Sequence, residues 1–199
     1  MAEIKSTMEM VLARAARMAA EEGGEDHMAE DQVKDGMRAG AAYMRDEKTD
    51  LLAALEACPP VARGHFIKGV AEALLRNITL PRGDEALDKA GQAMNGLTMV
   101  GLNHQDLLPV FGDLTKILDQ YRKHCEQLKE QLEANFAQMM PQLEAAMAQK
   151  TGQHMKLHPS QHPKYQEEMQ RAMDDLNGQY GRAIDQHKQM VVQILTSMV

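Results

Sequence analysis

The second half of the chain carries two apolar series that an α-helix alone places on single faces. The first is Leu114, Leu118, Tyr121, Cys125, Leu128, Leu132, Phe136, Met139, Leu143 and Met147. The second is Met169, Met173, Leu176, Tyr180, Ala183, His187, Met190, Ile194 and Met198. Steps of mostly three and four residues follow the 3.6-residue turn. A His- and Pro-rich connector over 151–163 joins the two series, which predicts a long antiparallel, coiled-coil-like hairpin over 113–199. Asp113 is placed to cap its first arm and Gly152 to stop it. Pro141 has no N–H to donate within that arm, so a kink or restart is expected there. Two consecutive steps of four near Asn135 and Phe136 resemble a coiled-coil stutter. At about 1.5 Å per residue each arm is roughly 50 Å long. Such stripes need a cover: the chain's own N-terminal helices, a second copy or a client helix.

The residues before the hairpin are also helical in pattern. Ser6-Thr7-Met8-Glu9 opens a first helix with a capping box, and Glu21 to Asp26 with Gly23 and Gly24 forms an acidic hinge over the end of 1–26. A helical region over 27–112 follows. One helix is expected over about 28–57, with Gly36 and Gly40 one turn apart on it, a spacing that permits close helix approach, and Cys58-Pro59-Pro60 ends it. Pro60 is placed to begin a third helix through Ile78. Pro81 to Asp84 marks a turn and N-cap, and Asn95-Gly96 a C-cap for a short fourth helix. Residues 97–102 read either as a short extended piece or as a helix-to-helix connection. The fold class is therefore all-α, an N-terminal helical region followed by a long, kinked antiparallel hairpin.

Charge narrows the partners. The formal net charge is −7, and residues 1–50 carry 7 Lys/Arg against 12 Asp/Glu. Residues 101–199 carry 10 against 12, so no basic block is available to neutralise phosphates, and no nucleic-acid partner is expected. No run approaches the roughly 18 apolar residues of a membrane span, and the N-terminus lacks a basic-then-apolar leader. No membrane partner is expected, and a cytoplasmic location follows. Cys58 and Cys125 belong to no Cys-x-x-Cys pair, and Cys125 falls on the first seam, as a buried thiol would.

Chemistry is sparse. Methionine is abundant at 17 of 199 residues, and many fall at helix-period apolar positions. A thioether-filled core accounts for them; an adaptable groove for partner helices is the sharper alternative. His154, His158 and His162 recur at intervals of four in the connector, and imidazole ligates zinc, copper or nickel. Pro159 and Pro163 break the helix that would align those rings, so a solvated turn competes with metal binding. Catalytic and cofactor motifs are missing: no Glu-x-x-His pair, no His-Glu-x-x-His, no phosphate-binding glycine loop, no Gly-x-Ser-x-Gly. No enzymatic activity and no cofactor are expected.

The opening Met-Ala-Glu-Ile-Lys-Ser-Thr-Met-Glu-Met-Val-Leu-Ala-Arg resembles that of an uncharacterised family of helical proteins from anaerobic, mostly sulfate- or metal-reducing bacteria. The last helix, from Tyr165 to Lys188, has the same general character. The resemblance implies a bacterial, cytoplasmic, helical protein and brings no activity with it.

The expectation is a non-enzymatic interaction or scaffolding protein. Its partner is protein, a second copy or a client, and it forms a homo-oligomer through a seam of Leu118, Tyr121, Leu128, Leu132, Met169, Met173, Leu176, Tyr180, Met190 and Ile194. The alternatives are a transition-metal protein using His154, His158 and His162, and an accessory protein or chaperone holding a client helix.

Overall fold

A computed structural model describes residues 27–45, 49–151, 156 and 158–197; the expected first helix and acidic hinge lie outside them. Among the described residues the regular structure is helical, without a strand. The helices are α1 (27–45), α2 (Leu51–Ala57), α3 (Arg63–Leu75), α4 (Asp84–Val100), α5 (Leu107–Thr151) and α6 (Pro163–Ser197). No described helix is long and apolar enough to cross a membrane.

Several boundaries differ from expectation, each for a local reason. The helix expected over 28–57 is two helices. Asp50 caps the second, its carboxylate accepting from the Leu52 and Ala53 amides at 2.9 and 3.1 Å. Pro60 starts a single 3-10 turn, Pro60–Ala62, and α3 begins after it. Asn95-Gly96 does not end α4, which runs on to Val100, so 97–102 is not extended. The end is a Schellman motif, in which the Asn103 amide donates to Thr98 O and the Leu102 amide to Met99 O, both at 3.0 Å. Leu102 takes the left-handed φ of 49° that this cap requires, and Asn103 after it is also left-handed at 56°. The long arm starts at Leu107, not at an Asp113 cap, because Pro109 falls in its first turn, where no N–H is needed. It also continues through Pro141 without a restart.

The described residues form two compact units. The first takes in residues up to Asn77, Gln92–Leu108 and the chain from Val191 onward. Its core includes the fully buried Leu51, Val70, Leu74, Leu97, Val100 and Val191, each worth about 1.5–3 kcal/mol of transfer free energy. Glycine sets its main crossing. A β-carbon on Gly36 of α1 would strike Phe66 O of α3, and one on Gly69 of α3 would strike Val33 O of α1. Gly40 extends the contact, with Ala73 Cβ 2.9 Å from where its own β-carbon would be. Gly96, unused as a cap, is pressed by Tyr43 and Leu74, both at 2.8 Å from a β-carbon position.

The second unit, Ile78–Gly91 with Pro109–Met190, contains the hairpin. Its arms run antiparallel. Tyr121 meets Asn177, His124 meets Tyr180, and Phe136 meets Tyr165. Leu132, Phe136 and Tyr165 form a cluster with Leu128 and Met169 packed against it.

The buried stripe rotates away from the heptad pattern along both arms. On α5 it passes from Phe136 to Met140, leaving Met139 and Met147 exposed. On α6 it passes through Ile184, Val191 and Leu195, so Met190 is 46% exposed and Ile194 only half-buried. Mean spacing near 3.7 follows an 11-residue repeat more closely than a heptad. A methionine core is not what results. Met94 and Met140 are the buried methionines among the described residues, and Leu, Val, Ile and aromatic side chains fill the interior.

Candidate functional site

Most of the expected hairpin seam faces inward, Met190 being the exposed exception. Leu118, Tyr121 and Leu132 are buried, and Leu128, Met169, Met173, Leu176 and Tyr180 are half-buried at the margins. The Tyr121 hydroxyl donates to Asn177 Oδ1 at 2.7 Å, and Tyr180 Oη lies 2.7 Å from His124 Nδ1. The Tyr121 and Tyr180 rings stack edge-on at 5.5 Å. Burial, and then the neighbouring Cys125 thiol, push the Tyr121 phenol up to about 12, against the pull of Arg82. Cys125 is half-buried. Cys58 is the buried thiol, donating to Gln32 Oε1 at 3.0 Å with its pKa raised by desolvation.

In the connector, His154 lies outside the described residues. His158 and His162 act as caps. His158 Nδ1 accepts the Ser160 amide at 3.3 Å and lies 2.9 Å from Ser160 Oγ. His162 Nδ1 accepts the Lys164 amide at 3.2 Å, and its ring tilts onto Phe136 at 5.0 Å. Each histidine precedes a proline that opens a helical turn, Pro159–Gln161 and then α6. An imidazole acceptor two residues before an amide does what Asp or Asn does in an Asx-turn. The repeated His-Pro pair was its signal in the sequence. Among the described residues no three His, Cys, Asp or Glu side chains come together to hold a metal.

Two concave surfaces were not anticipated. In the first unit, the outer face of α3 and the last turns of α6 bound a groove of about 340 Å³. Its walls are apolar, from Val61, Ile67, Ala71, Val192 and Leu195, with His65, Lys68 and Glu72 also lining it. Val61, in the 3-10 turn, is 94% exposed at its edge. The run Met190-Val191-Val192 is wider than one buried stripe needs, and it was the available sequence sign of a second apolar face.

In the second unit, the turn before α4, the first turn of α4 and residues of α5 and α6 line an open cleft of about 1260 Å³. Arg82, Asp84, Tyr121, Arg122, Cys125, Glu126 and Asn177 supply its polar lining. Arg122 donates to Asp84 at 3.3 Å.

Among the described residues, fold and surfaces together define an all-α protein with an antiparallel hairpin and open concavities in each unit. Residues 52–193 match the model of a family of unknown function, DUF6657, and the chain belongs to that family. The match lies wholly beyond the N-terminal run that carried the resemblance noted above. No curated protein and no solved structure matches the chain.

Proposed function

We propose that this is a non-enzymatic helical interaction protein that self-associates through the α3–α6 groove of its first unit. One observation carries the proposal: Val61, 94% exposed, stands beside an apolar groove of about 340 Å³. That volume accommodates one or two aliphatic side chains. A patch offering both a knob and a hole satisfies the self-complementarity that a twofold contact requires. Leaving Val61 and the exposed Val192 in water forfeits about 25 cal/mol per Å² of apolar surface, which a second copy recovers. The hairpin seam is a weaker candidate, because Leu118, Tyr121 and Leu132 are already covered within one copy.

Sedimentation velocity over a rising concentration series tests the proposal. A mass climbing towards twice that of the chain supports it. A single-chain mass at every concentration overturns it.

A further inference from the structure

The cleft of the second unit is separate from the groove and is built differently. Its walls combine apolar surface from Leu80, Pro81 and Met173 with polar groups that converge from three segments. An apolar cavity with a few convergent polar groups is the usual form of a small-molecule site. The charges are unevenly committed. Asp84 is taken by Arg122 at 3.3 Å. Arg82 makes no ion pair among the described residues, and its field registers at the Tyr121 hydroxyl. Glu126 is the remaining carboxylate of the lining. The Asn177 carbonyl oxygen is engaged by Tyr121, so its amide NH₂ remains a donor beside that hydroxyl. The lining of the cleft therefore includes an exposed guanidinium without an ion pair among the described residues, a primary amide donor and apolar walls.

We propose that this cleft binds a small organic anion, a carboxylate or phosphate monoester held by Arg82 and the Asn177 amide, with its apolar body against Leu80, Pro81 and Met173. Guanidinium suits both head groups because its planar fork meets two oxygens at once. The apolar walls demand a body on the anion, which separates such a ligand from a free inorganic ion.

Amide NMR titrations of the full chain with phenyl phosphate, phenylacetate and inorganic phosphate test the proposal. Saturable shifts centred on Arg82, Tyr121 and Asn177 are expected with one or both aromatic anions, and whichever binds more tightly identifies the head group. Inorganic phosphate should bind more weakly than phenyl phosphate. Arg82→Gln should weaken binding roughly tenfold or more, the scale of a lost charge-assisted hydrogen bond, and should leave the unfolding midpoint unchanged because Arg82 is exposed. Shifts that fail to saturate, that spread over other surfaces, or that persist unchanged in Arg82→Gln overturn it.

Discussion

Gly36 of α1 lies against the Phe66 carbonyl oxygen of α3 with no room for a β-carbon between them. Gly69 stands in the same relation to Val33, so the crossing is closed from both sides by backbone rather than side chains. Backbone cannot yield as a rotamer can. Gly36→Ala and Gly69→Ala should each cost more than about 3 kcal/mol, beyond ordinary overpacking. Gly178 and Gly181 in α6 have nothing within 4 Å of a β-carbon position. Alanine at either should stabilise by about 0.5–1 kcal/mol, the helix-propensity gain. Urea unfolding of the four variants checks both signs, and equal effects at all four sites would contradict the crossing.

Leu102 occupies the left-handed position of a Schellman cap, at φ 49°, while 66% exposed. Glycine avoids the β-carbon penalty there and gives up little burial. Leu102→Gly should therefore raise stability by about 1 kcal/mol in the same unfolding assay. A loss of stability would mean that Leu102 packs more than its exposure indicates.

Asp50 holds the start of α2 through the Leu52 and Ala53 amides. Asp50→Ala should destabilise by about 1 kcal/mol, and Asp50→Ser should recover most of that. Denaturant midpoints for the three proteins decide the matter.

Tyr121 gives an alkaline signature. Its phenol is raised from 10.0 to about 12 in the folded chain, chiefly by burial. The folded state thus keeps a proton that the unfolded state releases, and the stability it contributes is fully present below pH 10.0 and lost as pH rises towards 12. Thermal unfolding across that window should fall more steeply in the native chain than in Tyr121→Phe. At neutral pH the variant should be weaker by about 1 kcal/mol for the hydrogen bond lost from Asn177. Parallel pH profiles would contradict the burial of this hydroxyl.

The hairpin was legible because its apolar residues outnumber its exceptions, and Tyr121, Leu132 and Tyr180 sit on the faces that their spacing gave. Phase was harder to read. Met139 against Met140, and Met190 against Val191, are equally apolar, so hydrophobicity alone cannot show that the stripe drifts by one residue. Glycine was read correctly at one place and misread at another: Gly36 and Gly40 do mark a close helix approach. Gly96 resembled a cap and is a point of helix contact, whereas Gly36 is set by Gly69, a partner that spacing along one helix does not reveal. The connector histidines were noticed for their ligand chemistry, yet His158 and His162 are placed by local backbone bonding. The groove was missed because α3 and the end of α6 are more than a hundred residues apart in the chain.

Light scattering of the native chain beside Val61→Asp and Leu108→Asp tests self-association through the groove most directly. Leu108 is exposed to 57% and does not line the groove, so it controls for the loss of any exposed apolar side chain. The account predicts a dimer for the native chain and for Leu108→Asp, and a monomer for Val61→Asp. A native monomer, or a dimer that survives Val61→Asp, would contradict it.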